Sequence, residues 1–160
     1  TITAAGMVYV ADRTLVRPVI LLATVAAAGA SCELLKLLVH RTRPPTIDQI
    51  TTVETVNSYP SGHVTGTAAL LLVLAVLITR TPATRSIAFA GALVITAAVA
   101  ATRVYMAAHW LTDVCAAVAL AGAAVLTVPM AVRGALVRFP SAASGIARPR
   151  HPAPARPEIR

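Results

Sequence analysis

The stretch SYPSGHVTG (residues 58–66) runs directly into TAALLLVLAVLIT (67–79). A proline, a serine and two glycines are followed by a histidine, and the histidine stands at the mouth of an apolar run with no charge in it. The run from Gly62 to Thr79 is too long for a buried strand and close to the ~20 apolar residues that carry a helix across a bilayer. An ionisable side chain at such a place is costly unless it is paired or does chemistry. The residues before it carry helix-start chemistry: Ser61 can cap and Gly62 can open a helix.

Working outward, the whole chain matches that local reading. It has 160 residues, 57% hydrophobic and 12% charged, with a mean hydropathy of +0.75. Soluble domains carry about 25% charged residues. The composition therefore predicts an all-α, polytopic transmembrane helix bundle. Four runs have the required length: 18–39, 62–79, 85–104 and 112–132. Residues 1–11 are apolar but too short to span. Residues 1–138 form the membrane domain, and the Arg- and Pro-rich residues 139–160 (ending ARPRHPAPARPEIR) read as a disordered tail. Net charge is +8. Scarce aromatics and arginines gathered between apolar runs argue for membrane orientation and against a nucleic-acid partner. Cys32 and Cys115 sit inside apolar runs and read as small buried residues with no disulfide framework.

The basic residues also set an orientation. Arg13, Arg17, Arg80, Arg85, Arg133, Arg138, Arg148, Arg150, Arg156 and Arg160 fall on one side, and Lys36, Arg41, Arg43 and Arg103 on the other. The positive-inside rule places the first group, and with it both termini of this chain, in the cytoplasm. The second group works against that rule and so needs another explanation. His63, His109 and Asp113 fall on the same outer side, and one site is thereby gathered from three separated segments.

Those segments are KLLVHRTRP (36–44), PSGH (60–63) and TRVYMAAHWLTD (102–113). Arg43 and Arg103 can grip phosphate oxygens bidentately, and Lys36 adds a point charge. A helix opening after Pro60 offers N–H groups to an anion, Gly62 permits close approach, and Ser61 adds a cap and a hydroxyl. His109 and Asp113 are spaced i, i+4 and share a face on a helical turn. A carboxylate holding one ring nitrogen makes the other a better nucleophile or base.

The ordered triple resembles the type 2 phosphatidic acid phosphatase superfamily, whose signature is K-x6-RP, PSGH and SR-x5-H-x3-D. Ten matched positions would arise by chance with odds of about 10⁻¹³ before gap freedom. The resemblance implies an integral membrane phosphatase acting on lipid phosphate monoesters or pyrophosphates: phosphatidic acid, phosphatidylglycerol phosphate or a polyprenyl-linked phosphate of the cell envelope. It implies His109 as the nucleophile that forms a phosphohistidine, and His63 as the acid that protonates the leaving oxygen and then activates water. No cofactor and no metal is implied. The expected location is the plasma membrane, with the site at its extracytoplasmic face. Thr102 stands where the family has serine and is expected to crowd the phosphate pocket slightly. The family commonly has six spans, so the two beyond these four would precede residue 18.

Plainer roles are expected elsewhere. Arg13, Arg17, Arg80, Arg85 and Arg133 read as interfacial anchors, Trp110 and Tyr105 as belt residues, and Asp48 and Glu54 as solvated loop charges. Glu33 is placed to pair with Lys36, Gly62 and Gly66 to pack helices, and His40 and Arg41 to stand at the mouth of a loop. Three other functions compete. A non-catalytic lipid-phosphate binder would keep the basic residues and lose a histidine or the aspartate. A zinc site on His63, His109 and Asp113 would be crowded by Lys36, Arg43 and Arg103. A transporter would need polar residues mid-span, which runs 62–79 and 85–104 lack apart from threonine.

Overall fold

A computed structural model of the chain describes residues 1–12, 15–45, 47, 49–50 and 56–138, without the side chains of 9–12. Arg13, Asp48, Glu54 and the tail 139–160 lie outside the described residues. Among the described residues there are five helices, α1 (Ile2–Asp12), α2 (Val16–Val39), α3 (Gly62–Ile78), α4 (Pro82–Tyr105) and α5 (Leu111–Arg138). Among the described residues the sole β element is an isolated antiparallel bridge between Thr42 and Asn57.

Helices α2, α4 and α5 are long and apolar enough to cross a membrane. The fourth expected span, α3, has 17 residues, about 25 Å at 1.5 Å per residue. It is the central helix, packed by α2, α4 and α5. Its Val64, Ala68, Ala69 and Val73 are wholly buried. Small residues dominate the main core, where Ala28, Ala68, Ala69 and Ala121 let backbones approach around Ile20, Leu21 and Val73. The outward faces are equally apolar: Leu37, Leu38, Ile87, Val94, Leu126 and Met130 are all exposed, as suits helices in lipid. Helix α1 packs on α2, burying Ala5 and Val8.

Two helix boundaries lie beyond the sequence expectation. Helix α4 begins at Pro82 because Thr81 and Thr84 form a reciprocal capping box with Pro82 in the first turn. Helix α5 runs through Pro129 to Arg138, where lipid-facing and bundle contacts outweigh the one backbone hydrogen bond a proline removes. Cys32 is buried as expected, whereas Cys115 is exposed on the lipid side of α5. The expected tight packing at Gly66 is not found, since a side-chain carbon there would meet nothing within 4 Å.

Candidate functional site at one end of the bundle

The three motifs converge where α2 ends, α3 begins and the α4–α5 turn folds over both. The convergence is built from backbone. Helix α4 ends at Met106, and the N–H groups of Ala107 and Ala108 return to the carbonyls of Val104 and Arg103 at 3.0 and 3.1 Å. That is a Schellman closure, with Ala107 in the left-handed region at φ 49° where glycine is usual. It delivers the N–H of His109 to the Arg103 carbonyl at 3.3 Å. On the other side Ser58 N–H donates to the Arg41 carbonyl at 2.8 Å, and Ser61 N–H donates to the Asp113 carbonyl at 3.2 Å. The buried Cys32 thiol contacts the Pro60 carbonyl at 3.7 Å, joining α2 to the turn before α3.

His109 is 5% exposed. Its Nδ1 lies 2.8 Å from the Ser58 carbonyl. A carbonyl only accepts, so Nδ1 carries the proton and donates, and the lone pair is on Nε2, where it accepts from Arg43. Nε2 faces Arg43 Nη1 at 3.2 Å. Burial, then the Arg43 guanidinium, push the His109 pKa below the ordinary histidine value; the Ser58 hydrogen bond and the Asp113 charge act the other way. The net result is a neutral imidazole.

Asp113 does not hold Nδ1 in the way the i, i+4 spacing suggests. Its Oδ2 is 3.6 Å from Nδ1, beyond hydrogen-bond range, because both carboxylate oxygens are engaged elsewhere. Oδ2 accepts the Trp110 N–H at 2.9 Å, and Oδ1 accepts Arg41 Nη1 at 2.9 Å. The carboxylate caps the start of α5 from its third position, and the aspartate is fully buried.

The cationic side chains surround this pair. Arg43 Nη1 donates to the Ala108 carbonyl at 2.6 Å and Nη2 to the Asn57 carbonyl at 3.3 Å. Lys36 Nζ pairs with Glu33 at 2.7 Å, as the i, i+3 spacing predicts. It also stands 3.5 Å from where a side chain on Gly62 would begin, so a glycine there leaves the ammonium open access to the start of α3. Ser61 is the N-cap of α3 yet makes no side-chain cap bond, contrary to the capping expected of it. Its Oγ is instead buried without a hydrogen-bond partner, and so is Nε of Arg103. Two unpartnered polar groups beside a helix N-terminus fit an anion. His63 is exposed on the first turn of α3, within electrostatic reach of Arg103, Lys36 and Arg43. Thr102 stays out of the pocket: it is exposed, and its hydroxyl donates back to the Val99 carbonyl at 2.7 Å. Among the described residues no three His, Cys, Asp or Glu side chains gather as a metal-binding group.

Beside His109 lies a cavity of about 260 Å³, lined also by Pro44, Pro45, Val104, Ala107, Trp110 and Leu111. Val104 and Leu111 also line an apolar groove of about 590 Å³ between α4 and α5, walled by Ala97, Ala101, Cys115 and Val118.

Fold and site together define a membrane-type helical protein with a cluster of basic side chains and histidines at one end of its bundle. The chain belongs to the PAP2 superfamily, whose family model matches residues 17–136. Its fold is similar to that of the crystal structure of a transmembrane PAP2-type phosphatidylglycerolphosphate phosphatase from Bacillus subtilis, with a TM-score of 0.68 and 22% identity over 86% of this chain and 67% of that one. No curated protein matches the chain.

Proposed function

We propose that the protein is an integral membrane phosphatase that hydrolyses lipid phosphate monoesters or pyrophosphates through a phosphohistidine. The observation that carries this reading is the state of His109: Nδ1–H is given to the Ser58 carbonyl at 2.8 Å, and the Nε2 lone pair is turned toward Arg43 at 3.2 Å. Family membership and the unpartnered Ser61 Oγ and Arg103 Nε support the same reading.

In this mechanism the phosphoryl group displaces Arg43 from its resting contacts and is held by Arg43, Arg103, Lys36, Ser61 Oγ and the N–H groups opening α3. Nε2 of His109 attacks phosphorus, a P–N bond forms and the lipid O–P bond breaks. His63 gives its proton to the leaving oxygen, then takes one from a water that attacks the phosphohistidine and releases inorganic phosphate. Its exposed place on α3 suits an exchange with water. Cationic groups aimed at the equatorial oxygens supply the electrostatic stabilisation.

The groove sharing Val104 and Leu111 with the His109 cavity supports a substrate with an apolar chain; the candidates are phosphatidic acid, phosphatidylglycerol phosphate and polyprenyl phosphates or pyrophosphates. The excess of arginine on the opposite side supports a site on the extracytoplasmic face of the plasma membrane with both ends of this chain inside. The test is phosphate release by purified protein from that lipid panel. Release by wild type and none by His109→Ala at equal folded yield is expected. Binding of the lipids without release would leave a lipid-phosphate binder in its place.

A further inference from the structure

Asp113 is the most deeply buried charge at this end of the bundle, and its ion-pair partner is not one of the matched signature positions but an arginine between Lys36 and Arg43. Arg41 Nη1 donates to Asp113 Oδ1 at 2.9 Å and also to Thr112 Oγ1. The guanidinium lies over the Trp110 ring at 5.6 Å, and Trp110 Nε1 donates to the Thr42 carbonyl at 3.0 Å. The segment after α2 is thus clipped to the first turn of α5 through one arginine and one tryptophan.

We propose that Arg41 is a positioning residue whose guanidinium balances Asp113 and thereby keeps His109 neutral, with its proton on Nδ1 and its Nε2 unprotonated. A buried carboxylate that loses its counter-charge draws a proton to the nearest base. That base is His109, 3.6 Å away. With Arg41 in place the carboxylate is compensated, and the ring remains neutral against the Arg43 guanidinium. Without it, His109 takes up a proton at a pH where the native ring has none, and a protonated Nε2 has no lone pair to offer phosphorus. Of the other charged groups here, Arg43 acts on the His109 ring, and Arg103, Lys36 and Arg43 act on the neighbouring His63. Burial and Arg43 favour the neutral ring and the Asp113 charge opposes them, so the Arg41 charge that offsets Asp113 helps to set the ring's state. The consequence for turnover rests on the proposed role of His109; the consequence for its proton does not.

The experiment separates the two. Histidine-¹⁵N-labelled protein in detergent micelles is titrated by NMR, with the His109 ring assigned by its loss in His109→Gln. In wild type the ring is expected to stay a neutral Nδ1–H tautomer to below the ordinary histidine range. In Arg41→Ala its midpoint moves to higher pH, and Arg41→Lys restores most of the difference because it returns the charge. In the same variant the loss of kcat/KM at about pH 6 exceeds that at about pH 8 by roughly tenfold, carried by kcat rather than KM. A purely structural role would lower activity equally at both pH values. Should Arg41→Ala fail to fold, judged by far-UV circular dichroism and monodisperse elution in micelles, Arg41→Gln serves, since it keeps a donor for Thr112 without the charge. A His109 midpoint unmoved by loss of the Arg41 charge overturns the proposal. Absence of any phosphatase activity would overturn the catalytic reading alone.

Discussion

Replacing Asp113 by asparagine separates two ways of holding His109. The carboxylate accepts one donor on each oxygen, Arg41 at 2.9 Å and the Trp110 N–H at 2.9 Å. An asparagine has one oxygen. Kept on the part-buried Trp110 N–H, it turns its NH₂ toward Arg41, whose side chain is 36% exposed and can reach water. The loss is then one charge-assisted hydrogen bond, about 1.5–3 kcal/mol, reduced by rehydration of the arginine. A net destabilisation of about 2 kcal/mol is expected, read from denaturant unfolding in micelles followed by Trp110 fluorescence. The Ser58 carbonyl still holds Nδ1–H at 2.8 Å, so the tautomer survives. Phosphate release is expected to fall about ten- to a hundredfold. The ~10⁴-fold loss that follows when a carboxylate alone fixes the tautomer is not expected. A loss of that size with unchanged stability would refute the assignment of Ser58 as the orienting acceptor.

Two further outcomes follow from the same geometry. Ala107 holds φ 49° in the Schellman closure; a left-handed alanine costs about 1–2 kcal/mol and glycine returns about 0.5–1 kcal/mol of that as unfolded-state entropy. Ala107→Gly should therefore raise unfolding free energy by about 0.5–1 kcal/mol, and Ala107→Val should lower it, in the same denaturant assay. Because burial and Arg43 depress the His109 pKa, the acid limb of kcat/KM should fall below the ordinary histidine range. The unfolded chain binds that proton first as pH falls, so this site's contribution to stability is full above the ordinary histidine pKa and is lost as pH drops through the interval below it. A kcat/KM profile and unfolding curves across that interval check both.

Much of this was legible in the residues. Apolar runs bounded by arginines located α2, α3, α4 and α5, and the three motifs named the residues that meet. The boundaries of α4 and α5 extend past the apolar runs: the Thr81–Thr84 capping box starts α4 at Pro82, and α5 continues beyond Val132 to Arg138. The roles of Ser58 and Asp113 were not legible for a different reason. Every residue has a carbonyl, so no pattern marks Ser58 as the one that takes the His109 proton, while the i, i+4 spacing points to Asp113. Arg41 had a usable signal. Residues two apart in an extended segment share a side, so the arginine two before Arg43 faces the same site, and Thr42 between them forms a backbone bridge with Asn57.

The central claim is that Nε2 of His109 carries the phosphoryl group. Wild-type protein mixed with a ³²P-labelled lipid phosphate and quenched in base within one turnover should retain a base-stable, acid-labile label on the peptide that contains His109. The label should disappear together with phosphate release in His109→Ala. Turnover without label at His109, or undiminished release by His109→Ala, would contradict the account.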